Sequence, residues 1–388
     1  MKPSKEIKIL SLSFLFIFLG FAGVQQYLTS FFSEAGIAEV GFRSLILIYL
    51  FFILFNPLAA VFASKYGGKK SMLIGSIFYF IFIFFLLSKS PYLIYLISVF
   101  LGIGASLLWT GQNSFLIRAS DEKSYGKNSG FFTSLQSFGS AVGVVLLGFL
   151  IGKFLFKLPI LFFSFFPLMG FLLLFTLKDL KKEEKISNNF RLIKKSILSL
   201  TALRLASIYF AVQFIFGLVI GIIPIEIKNI FGAPCVGILS SLFYILPFLF
   251  SYYLGGLSDI IGRKKMIILS FFLIIVGLFS FIFSNHGFFL ILGIILLAIN
   301  SAIMRPVTAA FIGDISNSKN LEFITALFWM VQTIGVITAL LISQLFIYEI
   351  KTIYLISIFV ILISLVIILP LFRLKIEKIK EKLSQEIY

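Results

Sequence analysis

Twelve runs of apolar residues, each near the length needed to cross a bilayer, constrain this 388-residue chain more than any other feature. A spanning helix needs about 20 such residues, because a rise of roughly 1.5 Å per residue must cover a hydrocarbon core of about 30 Å. Bounded by charge, Gly or Pro, the first six runs read Ile9–Phe31, Leu45–Ala63, Met72–Leu87, Tyr92–Ile117, Gly130–Ile151 and Pro159–Leu177. The second six read Leu200–Ile223, Val236–Leu257, Met266–Phe283, Phe288–Phe311, Ile324–Ile347 and Ile353–Phe372. Apolar residues make up 60% of the chain and charged residues 13%, with 51 phenylalanines. Soluble domains hold roughly 45–50% and about 25%, and could not bury this much apolar surface. Twelve spans use about 240 residues, which leaves room for loops, a linker and tails but no sizeable soluble domain. The expected fold is all-α and polytopic.

Net charge is +17, which in a soluble protein would raise the question of nucleic acid. Here the cations cluster at the ends of apolar runs, as the positive-inside rule requires of cytoplasmic loops, so an anionic inner leaflet is the expected partner and nucleic acid is not. With the N-terminus inside, only Arg43, Lys89, Lys153, Lys157, Lys228 and Lys351 of the 33 cations fall outside. Both termini are therefore expected in the cytoplasm, at a plasma or inner membrane, which requires an even number of spans. Met1 to Lys8 are basic and lead into an apolar run with no small-residue cleavage site, so an uncleaved first helix is expected. The single Cys235 excludes an internal disulfide and a cysteine metal cage, and the single His286 reads as a solvated loop residue. No metal or cofactor is expected.

The chain repeats itself. A shift of 196 residues lays Phe115-Leu116-Ile117-Arg118-Ala119-Ser120 on Phe311-Ile312-Gly313-Asp314-Ile315-Ser316, Phe132 on Phe328, Gln136 on Gln332 and Gly139 on Gly335. A shift of 195 lays Gly67-Gly68-Lys69-Lys70 on Gly262-Arg263-Lys264-Lys265. Two parallel six-helix bundles follow, at residues 1–177 and 199–373, joined by a hydrophilic cytoplasmic linker at 178–198 and followed by a tail at 374–388.

The most specific motif lies between the eighth and ninth runs: Gly255-Gly256-Leu257-Ser258-Asp259-Ile260-Ile261-Gly262-Arg263-Lys264-Lys265. Its glycines permit a tight turn, and its acid suits basic groups or a helix N-terminus. This stretch closely resembles the signature loop of the major facilitator superfamily. The equivalent in the first half, Ala60 to Lys70, departs from the pattern, with Ser64 in place of the acid and Gly68 in place of the arginine. The resemblance implies two bundles that rock about a central site, with Asp259, Gly262 and Arg263 in a cytoplasmic clamp and Arg118, Arg305 and Asp314 as candidate partners. A narrower likeness, Gly102 to Asn113 with Tyr125 to Phe132, resembles the "uncoordinated" branch of that superfamily, some of whose members are implicated in regulating channels or trafficking receptors. The arginine common in the middle of the fourth helix of the superfamily would fall near Ser98, and the proline–glycine motif of drug–proton antiporters is missing from the fifth. Gly139-x-x-x-Gly143 there suits close helix packing.

Polar groups at membrane depth are costly unless they face a cavity or each other. The resemblance places the site on helices one, four, seven and ten. The matching groups are Gln25 and Gln26; Trp109, Gln112 and Asn113; Gln213; and Asn300, with Asn56 at similar depth on helix two. The alternative is that these amides join helices. No carboxylate lies near mid-membrane, Glu226 sits at an outer helix end, and classical proton coupling is accordingly disfavoured. The expectation is a monomeric secondary transporter of a small solute, neutral polar or amphipathic. The alternative is a non-transporting regulator or chaperone of membrane proteins. No nucleophile–base set or phosphate loop suggests an enzyme.

Overall fold

The computed structural model describes residues 3–34, 38–88, 90–154, 157–180, 199–231, 233–317, 320–346 and 349–387. Most of the hydrophilic linker lies outside this set. Among the described residues there is no strand, and 12 helical segments are long and apolar enough to cross a membrane.

The first half comprises α1 (Lys5–Glu34), α2 (Ala38–Tyr66), α3 (Gly68–Phe85), α4 (Pro91–Arg118), α5 (Tyr125–Phe154) and α6 (Lys157–Phe175). The second comprises α7 (Leu200–Ile220), α8 (Ile222–Phe231), α9 (Ala233–Ile261), α10 (Arg263–Ile282), α11 (Gly287–Ile315), α12 (Leu321–Leu345) and α13 (Ile350–Phe372). A last helix, α14 (Ile376–Ile387), closes the chain. Several helices run past the apolar runs into charged residues, because backbone hydrogen bonding propagates beyond the hydrocarbon limit. The seventh run is broken at Gly221 (φ −98°, ψ −89°), and α8 continues the same span.

Two compact units result. One holds Met1–Asp121, Phe131–Asn189 and Leu321–Ala326; the other holds Glu122–Gly130, Phe190–Asn320 and Leu327–Tyr388. Each unit thus includes the opening turns of a helix whose remainder belongs to the other, α12 in the first case and α5 in the second.

Inside the units the duplication of the sequence becomes a duplication of packing. In the first, α1 packs on α6, α2 on α4, and α3 on both α4 and α6; in the second, α7 packs on α13, α9 on α11, and α10 on both α11 and α13. Side-chain detail follows the register. A Cβ at Gly139 would strike the Leu15 carbonyl oxygen, and one at Gly335 would lie 2.5 Å from that of Phe210, which is Leu15 displaced by 195 residues. Gly143 packs in the same way on Leu19. Lys69 donates to the Leu177 carbonyl at 2.6 Å, and Lys264 to that of Phe372 at 3.1 Å, so one lysine closes the C-terminal end of the last span in each unit. Gly67 (φ 91°) and Gly262 (φ 95°) form the matching turns, in a backbone region that side chains strongly disfavour.

The amphipathic α14 packs against α7 and α11 with Ile379 and Leu383 fully buried. Glu386 accepts hydrogen bonds from Ser199 Oγ at 2.6 Å, Thr201 Oγ1 at 2.5 Å and Thr201 N at 3.0 Å. Those groups stand at the start of α7, where backbone N–H groups lack intrahelical partners.

Candidate functional site

Two features of the units bear on function: charged fastenings at the basic loops, and amides within the spans.

In the second unit the fastening centres on the signature loop. Asp259, in the last turn of α9, accepts from the backbone N–H groups of Gly126 and Lys127 at 2.8 Å each. Those two residues open α5, so Asp259 caps a helix it does not belong to, where the helix dipole also favours its charge. Arg263 donates from Nη2 to Asp259 at 2.5 Å, from Nε to Asp314 at 2.8 Å and from Nη1 to Ser258 Oγ at 2.5 Å. The Arg263 and Asp259 side chains are only 5% and 9% exposed, and removing one partner of such a pair costs about 3–5 kcal/mol. Gly126 and Gly255 meet so closely that a Cβ on either would strike the other's carbonyl oxygen. Of the partners expected for Asp259, Asp314 is joined to it through Arg263. Arg305 interacts electrostatically with Tyr244.

Arg118 also goes elsewhere. Its Nη2 donates to Glu322 Oε1 at 2.7 Å, within the first unit, and the Glu322 side chain is 2% exposed. The register is informative. Arg118 is the counterpart of Asp314, and Glu322, second residue of α12, is the counterpart of Gly126, second residue of α5. Where the second unit sets a loop acid against a backbone, the first sets an arginine against an acid on the incoming helix. Its own loop carries Ser64 and Gly68 at the positions of Asp259 and Arg263. A Cβ on Gly68 would lie 2.6 Å from the Gly111 carbonyl oxygen and 3.2 Å from Phe115 Cβ, so α3 approaches α4 too closely there to carry an arginine. Glu322 was not among the sequence-derived candidates. At the start of a span it reads as an ordinary headgroup charge, and only the register with Gly126 marks it.

The amides divide between the units. Gln25, Asn56, Trp109, Gln112 and Asn113 belong to the first, Gln213 and Asn300 to the second; the Gln26 side chain lies outside the described ones. Asn56 is fully buried, donates to the Phe52 carbonyl at 2.6 Å and accepts from Thr110 Oγ1 at 3.3 Å, joining α2 to α4. Asn300 accepts from Ser270 Oγ and joins α11 to α10. Gln25 donates to the Tyr49 hydroxyl at 3.2 Å, and Gln213 is half-buried on α7.

On α4 the situation differs. Asn113 donates to Thr325 Oγ1 at 3.1 Å, but its Oδ1 has no hydrogen-bond partner, and neither has Nε2 of Gln112. Both side chains are buried. Trp109, about one turn earlier, bonds Tyr79 and packs edge-on against Phe14 and tilted against Phe18, with ring centres at 5.6 and 5.2 Å.

The carboxylate of Glu226, on α8, is buried and accepts from the Tyr354 hydroxyl of α13, whose ring lies 4.9 Å from that of Phe281. His286 is exposed. Among the described residues no group of His, Cys, Asp and Glu could hold a metal ion.

Duplicated helical units of this kind, with 12 segments long and apolar enough to span a membrane among the described residues, define a polytopic all-helical protein built on an internal repeat. The profile of the Major Facilitator Superfamily matches residues 10–207 and again 205–386. The chain belongs to that superfamily. Its fold is shared with the human organic anion transporter MFSD10 (TM-score 0.74, 12% identity, 92% of this chain and 98% of that one). It is shared equally with the proton:xylose symporter XylE (0.74, 13%, 94% and 95%) and a bacterial homologue of the iron transporter ferroportin (0.74, 12%, 93% and 98%). In sequence the chain is similar to the UNC93-like protein MFSD11 of Xenopus tropicalis, 32% identical over 36% of this chain and 32% of the relative. It is also similar to UNC93-like protein 3 of Arabidopsis thaliana, 27% identical over 37% and 33%. The chain therefore covers about a third of the length of these curated relatives.

Proposed function

We propose that this chain is an alternating-access transporter of a neutral polar or amphipathic small solute, from the UNC93-like branch of its superfamily. It acts as a monomer in a plasma or inner membrane with both termini in the cytoplasm, an orientation supported by the confinement of most Lys and Arg to one set of loops. The observation that carries the reading is the pair of open amide atoms on α4. A buried donor at Gln112 and a buried acceptor at Asn113 without partners each cost on the order of 1–3 kcal/mol. A solute presenting hydroxyl or amide groups relieves both costs once the helix is exposed, and Trp109 offers it an aromatic edge. Gln25 is proposed to extend this lining within the first unit, Gln26 and Gln213 keep their expected roles as solute contacts, and Asn56 and Asn300 hold α2 and α11 to their neighbours.

Amides bind without net charge, which fits the lack of carboxylates near mid-membrane. Asp259, Gly262, Arg263 and Asp314, together with Arg118 and Glu322, fasten the cytoplasmic side when the protein faces outward, and Arg305 is assigned to the same gating set. The test is counterflow of a panel of labelled polyols, amides and amphipathic neutrals into proteoliposomes. The reading expects flux of at least one class and at least tenfold lower flux in Gln112→Leu or Asn113→Leu, the loss of about 1.4 kcal/mol. No flux across the panel, with correctly inserted protein, would favour a regulatory role instead.

A further inference from the structure

Beside the first loop lies a cavity of about 150 Å³ in the first unit, bounded by Gly67 and Gly68 and lined by Lys69, Lys70, Arg118 and Glu322. In the second unit the arginine at the position of Gly68 stands between two acids. In the first, the helix-end acid is replaced by Arg118, and the sign of the surroundings is inverted. Counting Asp179, which also lines the cavity, the described lining holds three cations and two carboxylates, a balance suited to one added negative charge. Lys70 is exposed, and Lys69 gives one of its three protons to the Leu177 carbonyl and keeps two.

The cavity lies where two spans meet, since α2 ends at Tyr66 and α3 begins at Gly68. Tyr66, which also lines it, is 45% exposed, and Lys65 sits 5.2 Å from the centre of its ring. Exposed tyrosine and lysine at the end of a span are characteristic of the membrane interface. We propose that this cavity binds the phosphodiester group of a membrane phospholipid, held by Lys70, Lys69 and Arg118. A phosphodiester carries a single charge, whereas a free phosphomonoester carries close to two at neutral pH and would leave the cavity net negative. Because Arg118 also serves Glu322, the lipid and the carboxylate compete for one guanidinium.

That competition gives the test its direction. Purified full-length protein in neutral detergent is titrated with phosphatidylglycerol and the bound lipid counted by native mass spectrometry. Dioleoylglycerol serves as the phosphate-free control, and inorganic phosphate and glycerol 3-phosphate as the soluble sources. Lys70→Gln and Arg118→Gln are expected to weaken phosphatidylglycerol binding about tenfold, the effect of about 1.4 kcal/mol lost from a charge-assisted hydrogen bond. Glu322→Gln, which removes the carboxylate that competes for Arg118, is expected to strengthen it several-fold; a generic basic surface would not respond in this way. Lys351→Gln, which does not line the cavity, should leave binding unchanged. Equal binding by wild type and Lys70→Gln, or weaker binding by Glu322→Gln, would overturn the site. Displacement of the lipid by millimolar inorganic phosphate would overturn the lipid as its occupant.

Discussion

The two basic loops descend from one repeated sequence yet fasten their units with different chemistry. In the second unit an acid on the loop holds the backbone of α5, and Arg263 ties that acid to the end of α11. In the first, the loop has no charge at either position, and the ion pair has moved onto the end of α4 and the start of α12. The cause is local: α3 lies so close to α4 that Gly68 admits no side chain. The comparison teaches that an internal repeat can conserve the place of a fastening while exchanging its atoms. A grip on backbone N–H groups does not depend on which side chain follows, whereas a charge pair depends on both partners.

The comparison can be broken at several points. The largest effect is expected from Asp259→Ala or Arg263→Ala, which strand a buried charge and should destabilise the protein by about 3–5 kcal/mol in thermal or denaturant unfolding in detergent. The isosteric Asp259→Asn keeps the shape and shifts the conformational equilibrium, so flux should fall at equal surface expression. Flux equal to wild type would remove Asp259 from the cycle. Next come the matched turns: Gly262→Ala and Gly67→Ala should each cost about 1–3 kcal/mol, because both backbones have a positive φ with an extended ψ, a region nearly confined to glycine. Neither site has another atom within 4 Å of the added methyl, so the two costs should agree. Unequal costs would show that the turns are not equivalent.

The smallest effect concerns the tail. Burial alone would raise the Glu386 carboxyl, but the hydrogen bonds from Ser199 and Thr201, with Lys382 nearby, outweigh it and hold the group below the ordinary carboxylate range. A depressed folded value means that docking of α14 is fully supported above the unfolded carboxylate pKa and lost as pH falls through the folded one. Tryptic cleavage among Lys375, Lys378, Lys380 and Lys382, after brief acid exposure and crosslinking, should rise below about pH 4.5. In Glu386→Gln it should already be high at neutral pH. Unaltered cleavage in that variant would show that the apolar contacts of Ile379 and Leu383 suffice.

Much of this architecture is legible in the sequence, because hydrocarbon burial imposes run length directly and duplication repeats it in register. The repeat reaches individual contacts, as Gly139 on Leu15 and Gly335 on Phe210 show. That the loop acid Asp259 suits a helix N-terminus is legible too, but its pairing with Arg263 is not, since the sequence offered Arg118, Arg305 and Asp314 as its partners. The break at Gly221 and the short α8 are not, because an apolar run looks continuous across a local change in ψ. Nor is α14, whose amphipathic pattern reads as a polar tail until Ile379 and Leu383 are seen to be buried. The partner of Arg118 is hidden for a different reason. Contact with Glu322 spans 204 residues, and neither charge stands out from others at helix ends. Among the amides, sequence depth alone did not separate Asn56 and Asn300, engaged by neighbouring helices, from Gln112 and Asn113 with their open atoms.

That the units are fastened by different chemistry is tested most directly by exchanging the charges of the first pair. Arg118→Glu and Glu322→Arg are each expected to lower thermal stability and counterflow, and the double exchange to recover most of both, with a coupling of about 0.5–3 kcal/mol. Asp259→Arg should find no rescue in any substitution at Gly126 or Lys127, since at those two residues its partners are backbone N–H groups. A double exchange no better than the worse single variant, or a rescue of Asp259→Arg by an acid at Lys127, would contradict the account.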